Sequence, residues 1–150
     1  MFKFLLVGLC LVWSLSCELL FISSKADASI KLGGYPERME SIVTSCREKS
    51  EITEAELEKL PDDPTYVDEN KYDTFHYCVM REEKLMNEDT GFNKEEIKHF
   101  VENMDVPQNL NKEHLMKVVM DCVDAGQGKD LPNEKLAGNM LRCITNTKEF

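Results

Sequence analysis

The cysteines of this chain constrain its fold more than any other feature, because they fall in two unlike regions. Cys10 and Cys17 lie in an apolar leader, whereas Cys46, Cys78, Cys122 and Cys143 are spread through a charged remainder. Lys3 supplies a short positive n-region, Phe4 to Leu15 an apolar h-region, and Ala26-Asp27-Ala28 a small-x-small cleavage site. Residues 1–28 therefore read as a secretory signal peptide, with Ser29 the expected mature N-terminus. An uncleaved anchor is the competing reading, since Phe4 to Ile22 approaches spanning length. Glu18 inside that stretch and the cleavage site weigh against it. Four cysteines in a secreted domain over residues 29–150 read as two disulfides. Arithmetic alone leaves all three pairings open.

The chain carries 28 acidic against 18 basic residues, a formal net charge of −10. The leader holds Lys3, Lys25, Glu18 and Asp27, two charges of each sign, so its removal leaves that balance unchanged. Binding nucleic acid without regard to sequence requires clustered Lys and Arg against phosphates, so no nucleic-acid partner is expected. Docking on an anionic membrane is disfavoured for the same reason, and no membrane insertion is expected after cleavage. With 42% hydrophobic residues the chain can bury one core.

The domain reads as all-α, about six helices, with no sheet. Tyr35-Pro36 opens the first helix near Glu37, with Met39, Ile42, Val43 and Cys46 at helical spacing. Thr53-x-x-Glu56 is a capping box for a short second helix carrying Leu57 and Leu60, which Pro61 and Pro64 end. A third helix is expected from about Asn70 to Met86, and Asn93-x-x-Glu96 starts a fourth that Pro107 stops. A fifth begins near Asn111 and ends at Gly126 and Gly128; Pro132-Asn133 opens the sixth. Each of the four cysteines thus falls on the apolar face of a helix. Zinc ligands usually come in pairs two to four residues apart, and these cysteines lie far more widely spaced, so no metal site is expected.

This arrangement resembles the insect odorant-binding proteins, the pheromone-binding and general odorant-binding family. The likeness rests on MESIVTSCREKSEITEAELEKL (Met39 to Leu60), on Phe75-His76-Tyr77-Cys78-Val79 and on Asp121-Cys122, and it covers essentially the whole mature chain. Members of that family usually carry six mature cysteines; the positions of the second and fifth fall here at Thr74 and Glu134. That departure is similar to the four-cysteine subgroup called Minus-C. The resemblance implies pairs Cys46–Cys78 and Cys122–Cys143, six helices around an apolar cavity, and a more adaptable wall where the bridge between the third and sixth helices is missing. It also implies an extracellular carrier that binds and solubilises small hydrophobic ligands such as odorants or pheromones. A membrane chemoreceptor or a second copy of the chain is a candidate partner. The alternative is a secreted gland or reproductive-fluid interaction protein on the same fold.

Such a carrier needs no catalyst and no cofactor. Burial contributes ~0.8 kcal/mol per methylene, so a ten-carbon ligand gains roughly 8 kcal/mol before entropy costs, an affinity around micromolar. The candidate ligand-binding residues are Val79, Ile97, Phe100, Val101, His114, Leu115, Val118, Val119, Met140 and Ile144. Methionines 39, 80, 86, 104, 116, 120 and 140 add flexible thioethers that suit an adaptable binding surface or a core gap. Of His76, His99 and His114, the last is the preferred candidate for a pH-dependent contact, because Leu115 beside it is expected to face the cavity.

No catalytic residue is expected. Gly126-Gln127-Gly128-Lys129-Asp130 fails the phosphate-loop pattern, with Val123 at the first glycine position and Asp130 at the hydroxyl position. Asn87 to Gly91 fails the calcium-loop pattern, with Ile97 where a bidentate Glu belongs. Neither G-x-S-x-G nor H-E-x-x-H occurs.

Overall fold

The structure, a computed structural model, describes residues 35–60, 63–104 and 111–147. The expected leader over residues 1–28 lies outside them, as do Pro61 and Pro107. Among the described residues, six α-helices follow in order: α1 (Tyr35–Ser50), α2 (Glu54–Lys59), α3 (Glu69–Glu82), α4 (Lys94–Glu102), α5 (Lys112–Gly126) and α6 (Asn133–Asn146). A single 3-10 turn, Pro64–Tyr66, precedes α3.

Local chemistry sets most of these boundaries. The Thr53 backbone N–H donates to Glu56 Oε2 at 2.8 Å, and the Glu56 N–H donates to Thr53 Oγ1 at 3.2 Å, closing the capping box of α2. Asp68 Oδ1 accepts from the N–H groups of Asn70 and Lys71 and starts α3. Asn93 and Asn111 cap α4 and α5 through the N–H groups of Glu96 and His114.

The third helix stops earlier than its sequence pattern suggests. Lys84 takes a left-handed conformation (φ 62°), its N–H donates to the Arg81 carbonyl, and the Leu85 N–H donates to Met80 O at 2.8 Å. That is a Schellman closure, with lysine in the place usually held by glycine. The chain freed beyond it forms a two-stranded antiparallel ribbon, β1 (Met86–Asn87) against β2 (Gly91–Phe92), where no sheet was expected. Gly91 (φ 71°) supplies the reversal, and Asn133 Nδ2 donates to the Glu88 carbonyl at 2.8 Å, fastening the ribbon to α6. A ribbon so short has no period-two pattern to read.

Packing brings α3 against both α1 and α6, α5 against α6, and α4 against α5. Disulfide Cys46–Cys78 joins α1 to α3 with Cα atoms 5.5 Å apart, and Cys122–Cys143 joins α5 to α6 at 5.8 Å. These are the two bridges the resemblance implies. One apolar core runs through the bundle, from Ile42 and Cys46 on α1 to Leu141 and Ile144 on α6. Among the described residues, no helix is long and apolar enough to cross a membrane.

Where α3 meets α6, the helices approach closely enough that a Cβ on Gly138 would fall 1.7 Å from Asp73 Oδ1. The Asp73 side chain is 1% exposed. Its Oδ1 accepts from Arg142 Nη2 at 2.6 Å, and its Oδ2 lies 2.8 Å from Lys135 Nζ. Lys135 also donates to Glu69 Oε1 at 3.1 Å, which draws that exposed carboxylate below its usual range. The hydrogen bond to Asp73, with that to Glu69, raises the Lys135 ammonium above its ordinary value. A buried charge requires paired, hydrogen-bonded partners, and α6 supplies both.

Candidate functional site

Four helices and the turn after α3 line an apolar cavity of about 30 Å³. From α3 comes Met80, and from the closure behind it Leu85. From α4 come Ile97, Phe100 and Val101, with Met104 just past its end; α5 adds Val119, and α6 adds Met140 and Leu141. The helical spacing of Ile97, Phe100, Val101 and Met104 puts one continuous stripe of α4 and its end on the wall. Phe100 is the half-buried member; the other eight are buried.

Five of the ten candidate ligand-binding residues therefore meet at one cavity: Ile97, Phe100, Val101, Val119 and Met140. Val79, Leu115, Val118 and Ile144 are buried in the surrounding core and do not line it. His114 is half-buried at the start of α5 and is likewise not on the wall. Four wall residues fall outside that set. Met80 and Met104 stand out in the sequence only as thioethers, and Leu141 sits two residues before a cysteine without other mark. Leu85 reaches the cavity because α3 ends early, which turns the chain back inward.

The wall is hydrocarbon and thioether throughout. A drug-sized ligand pocket spans roughly 300 Å³ or more, whereas 30 Å³ is about the share of one water in the liquid. Admitting a larger molecule thus requires wall side chains to move. Three methionines, Met80, Met104 and Met140, make that inexpensive, since an unbranched thioether has several accessible conformations.

The buried imidazole is that of His76, on α3. Its ring meets Tyr72 edge-on at 4.3 Å and Phe75 at 5.3 Å. Burial, reinforced by the nearby Arg142 charge, pushes its pKa down to about 3. His99 is exposed in the last turn of α4, where its carbonyl accepts from Asn103 Nδ2 at 2.7 Å. Among the described residues, no three His, Cys, Asp or Glu side chains converge as a metal site. The four cysteines there are consumed by disulfides.

Comparison with known proteins adds an independent observation. No curated protein and no solved structure gives a significant match. Residues 35–147 match the profile of the PBP/GOBP family, a span running from the first residue of α1 to the residue after α6. The all-α helix order and the two bridges agree with that match, and the chain belongs to the PBP/GOBP family, whose members bind small hydrophobic ligands.

Proposed function

We propose that this protein is a secreted carrier that takes up small hydrophobic molecules and keeps them dissolved in extracellular fluid. The observation that carries the reading is the cavity within the bundle whose described wall presents only apolar side chains. Removing a volatile's apolar surface from water is the whole of the driving force, and no bond need be made or broken. Membership of the PBP/GOBP family supports the same role, as does the leader at residues 1–28. The net charge of −10 suits a protein that stays soluble at high concentration. Cysteine usage favours the Minus-C subgroup, because Thr74 and Glu134 stand where the other members place a third bridge. The ligand would lie among Ile97, Phe100, Val101, Val119 and Met140.

Uptake of a fluorescent apolar probe by the oxidised protein tests the proposal. Saturable binding at micromolar protein, reversed by candidate volatiles, is the expected result. Absence of uptake at that concentration contradicts it.

A further inference from the structure

We infer that the cavity selects unfunctionalised hydrocarbons, aryl-bearing ones included, and discriminates against alcohols and acids of the same size. The inference rests on the carrier reading and names the ligand class that this wall accepts.

The argument is one of hydrogen-bond inventory. Every described side chain on the wall is Met, Leu, Ile, Val or Phe, so none donates a hydrogen bond and only the thioethers accept, weakly. The backbone amides there are also engaged. Most wall residues lie inside helices, and the two that do not have bonded amides: Leu85 N–H reaches Met80 O, and Met104 N–H reaches Val101 O. The Leu85 carbonyl already accepts from Asn93 N–H at 2.9 Å. The buried carboxylate of Asp73 has both oxygens taken by Arg142 and Lys135. A ligand hydroxyl brought into this cavity gives up its water and finds no comparable partner. An aryl ring, by contrast, meets sulfur from three methionines, a favourable contact.

A matched pair tests this on the intact, disulfide-bonded protein. N-Phenyl-1-naphthylamine is bound first, then displaced by n-butylbenzene or by 3-phenylpropan-1-ol, which have equal numbers of non-hydrogen atoms. The hydrocarbon is expected to bind about thirty-fold or more tighter, combining the extra buried methyl with the unsatisfied hydroxyl. A smaller gap, or none, means that the hydroxyl finds a partner and overturns the inference while the carrier reading stands. If the probe binds but neither compound displaces it, the inference again fails alone. If the probe itself is not taken up, the carrier reading fails with it.

A second arm locates the effect. Val119→Thr places a hydroxyl on the wall with little change in shape, and Val101→Thr serves if the first variant lacks the helical circular-dichroism signal. In the folded variant the gap is expected to narrow about three-fold or more. An unchanged gap shows that the ligand does not contact this wall, and it overturns the inference.

Discussion

Asp73 Oδ1 and Arg142 Nη2 lie 2.6 Å apart across the α3–α6 interface, and Lys135 closes on the second oxygen of the same carboxylate. Asp73 and Lys135 each stand one residue from Thr74 and Glu134, the two positions at which the resemblance to six-cysteine odorant-binding proteins implies a cysteine. An electrostatic clasp thus joins α3 to α6. Asp73→Asn leaves two cations facing a neutral amide. It is expected to cost roughly 2–4 kcal/mol, allowing for the part-exposed Lys135 and Arg142 side chains. Urea denaturation at neutral pH measures it; a loss below about 0.5 kcal/mol sinks the claim.

Gly138→Ala probes the same interface sterically. The added methyl would overlap Asp73 Oδ1, so α6 must shift or the carboxylate must leave its partners. A destabilisation of about 1–3 kcal/mol is expected in the same assay. Combined with Asp73→Asn, the two losses are expected to be less than additive, because both act on one contact.

Thr74→Cys with Glu134→Cys tests whether these two positions mark the place of a third bridge. The double variant is expected to show no free thiols after oxidation and an unfolding free energy raised by roughly 1–3 kcal/mol, less than a first cross-link gives. Its ligand range should contract, since α3 and α6 supply Met80 and Met140 to the wall. Free thiols that persist under oxidising conditions would count against this placement.

Acid should weaken the fold through His76. The folded imidazole has a pKa of about 3, whereas the same group in the unfolded chain titrates near 6.5. Between these values the unfolded state binds a proton that the folded state does not. Stability from this group is full above pH 6.5 and is lost as pH falls toward 3, by up to about 1.4 kcal/mol per unit. His76→Gln should flatten the pH dependence of the urea midpoint between pH 6 and 4. An identical slope in the variant would assign acid sensitivity to other groups.

Lys84→Gly should stabilise the protein by about 0.5–1 kcal/mol, since glycine adopts the left-handed closure of α3 without a Cβ penalty. A lowered thermal midpoint would show that the lysine side chain contributes more than its backbone strain removes.

Much of the architecture is legible in residue order. Thr53 and Glu56 announce α2, and the apolar stripe of α4 announces a wall of the cavity, because both depend on neighbours within a few residues. Lys84 is the counterexample: nothing marks a lysine as the turn that ends α3, so Leu85 is missed as a wall residue. Asp73 reads as one more solvated acid in an acidic chain, because its cationic partners lie more than sixty residues away. Gly138 was the available clue. A glycine inside a helical pattern lowers helix propensity, and its presence implies a close approach of another element. Four of the ten candidate cavity residues pack into the core instead, since an apolar helix face alone does not say which side chains border a void.

The disulfides divide the cavity wall unequally. Cys46–Cys78 fixes α3 and Cys122–Cys143 fixes α5 to α6, while α4 carries no cysteine. Lys94 pairs with Asp124 at 2.6 Å and Lys112 Nζ reaches the Glu102 carbonyl, but both contacts are solvent-exposed and weak. The apolar stripe of α4 that faces the cavity is a further restraint, and none of these is covalent. The helix is therefore the hinged panel of an otherwise riveted box: local opening of α4 exposes the interior without breaking a covalent link. Its amides should exchange with deuterium faster than those of α3 and α6, and ligand should slow that exchange selectively.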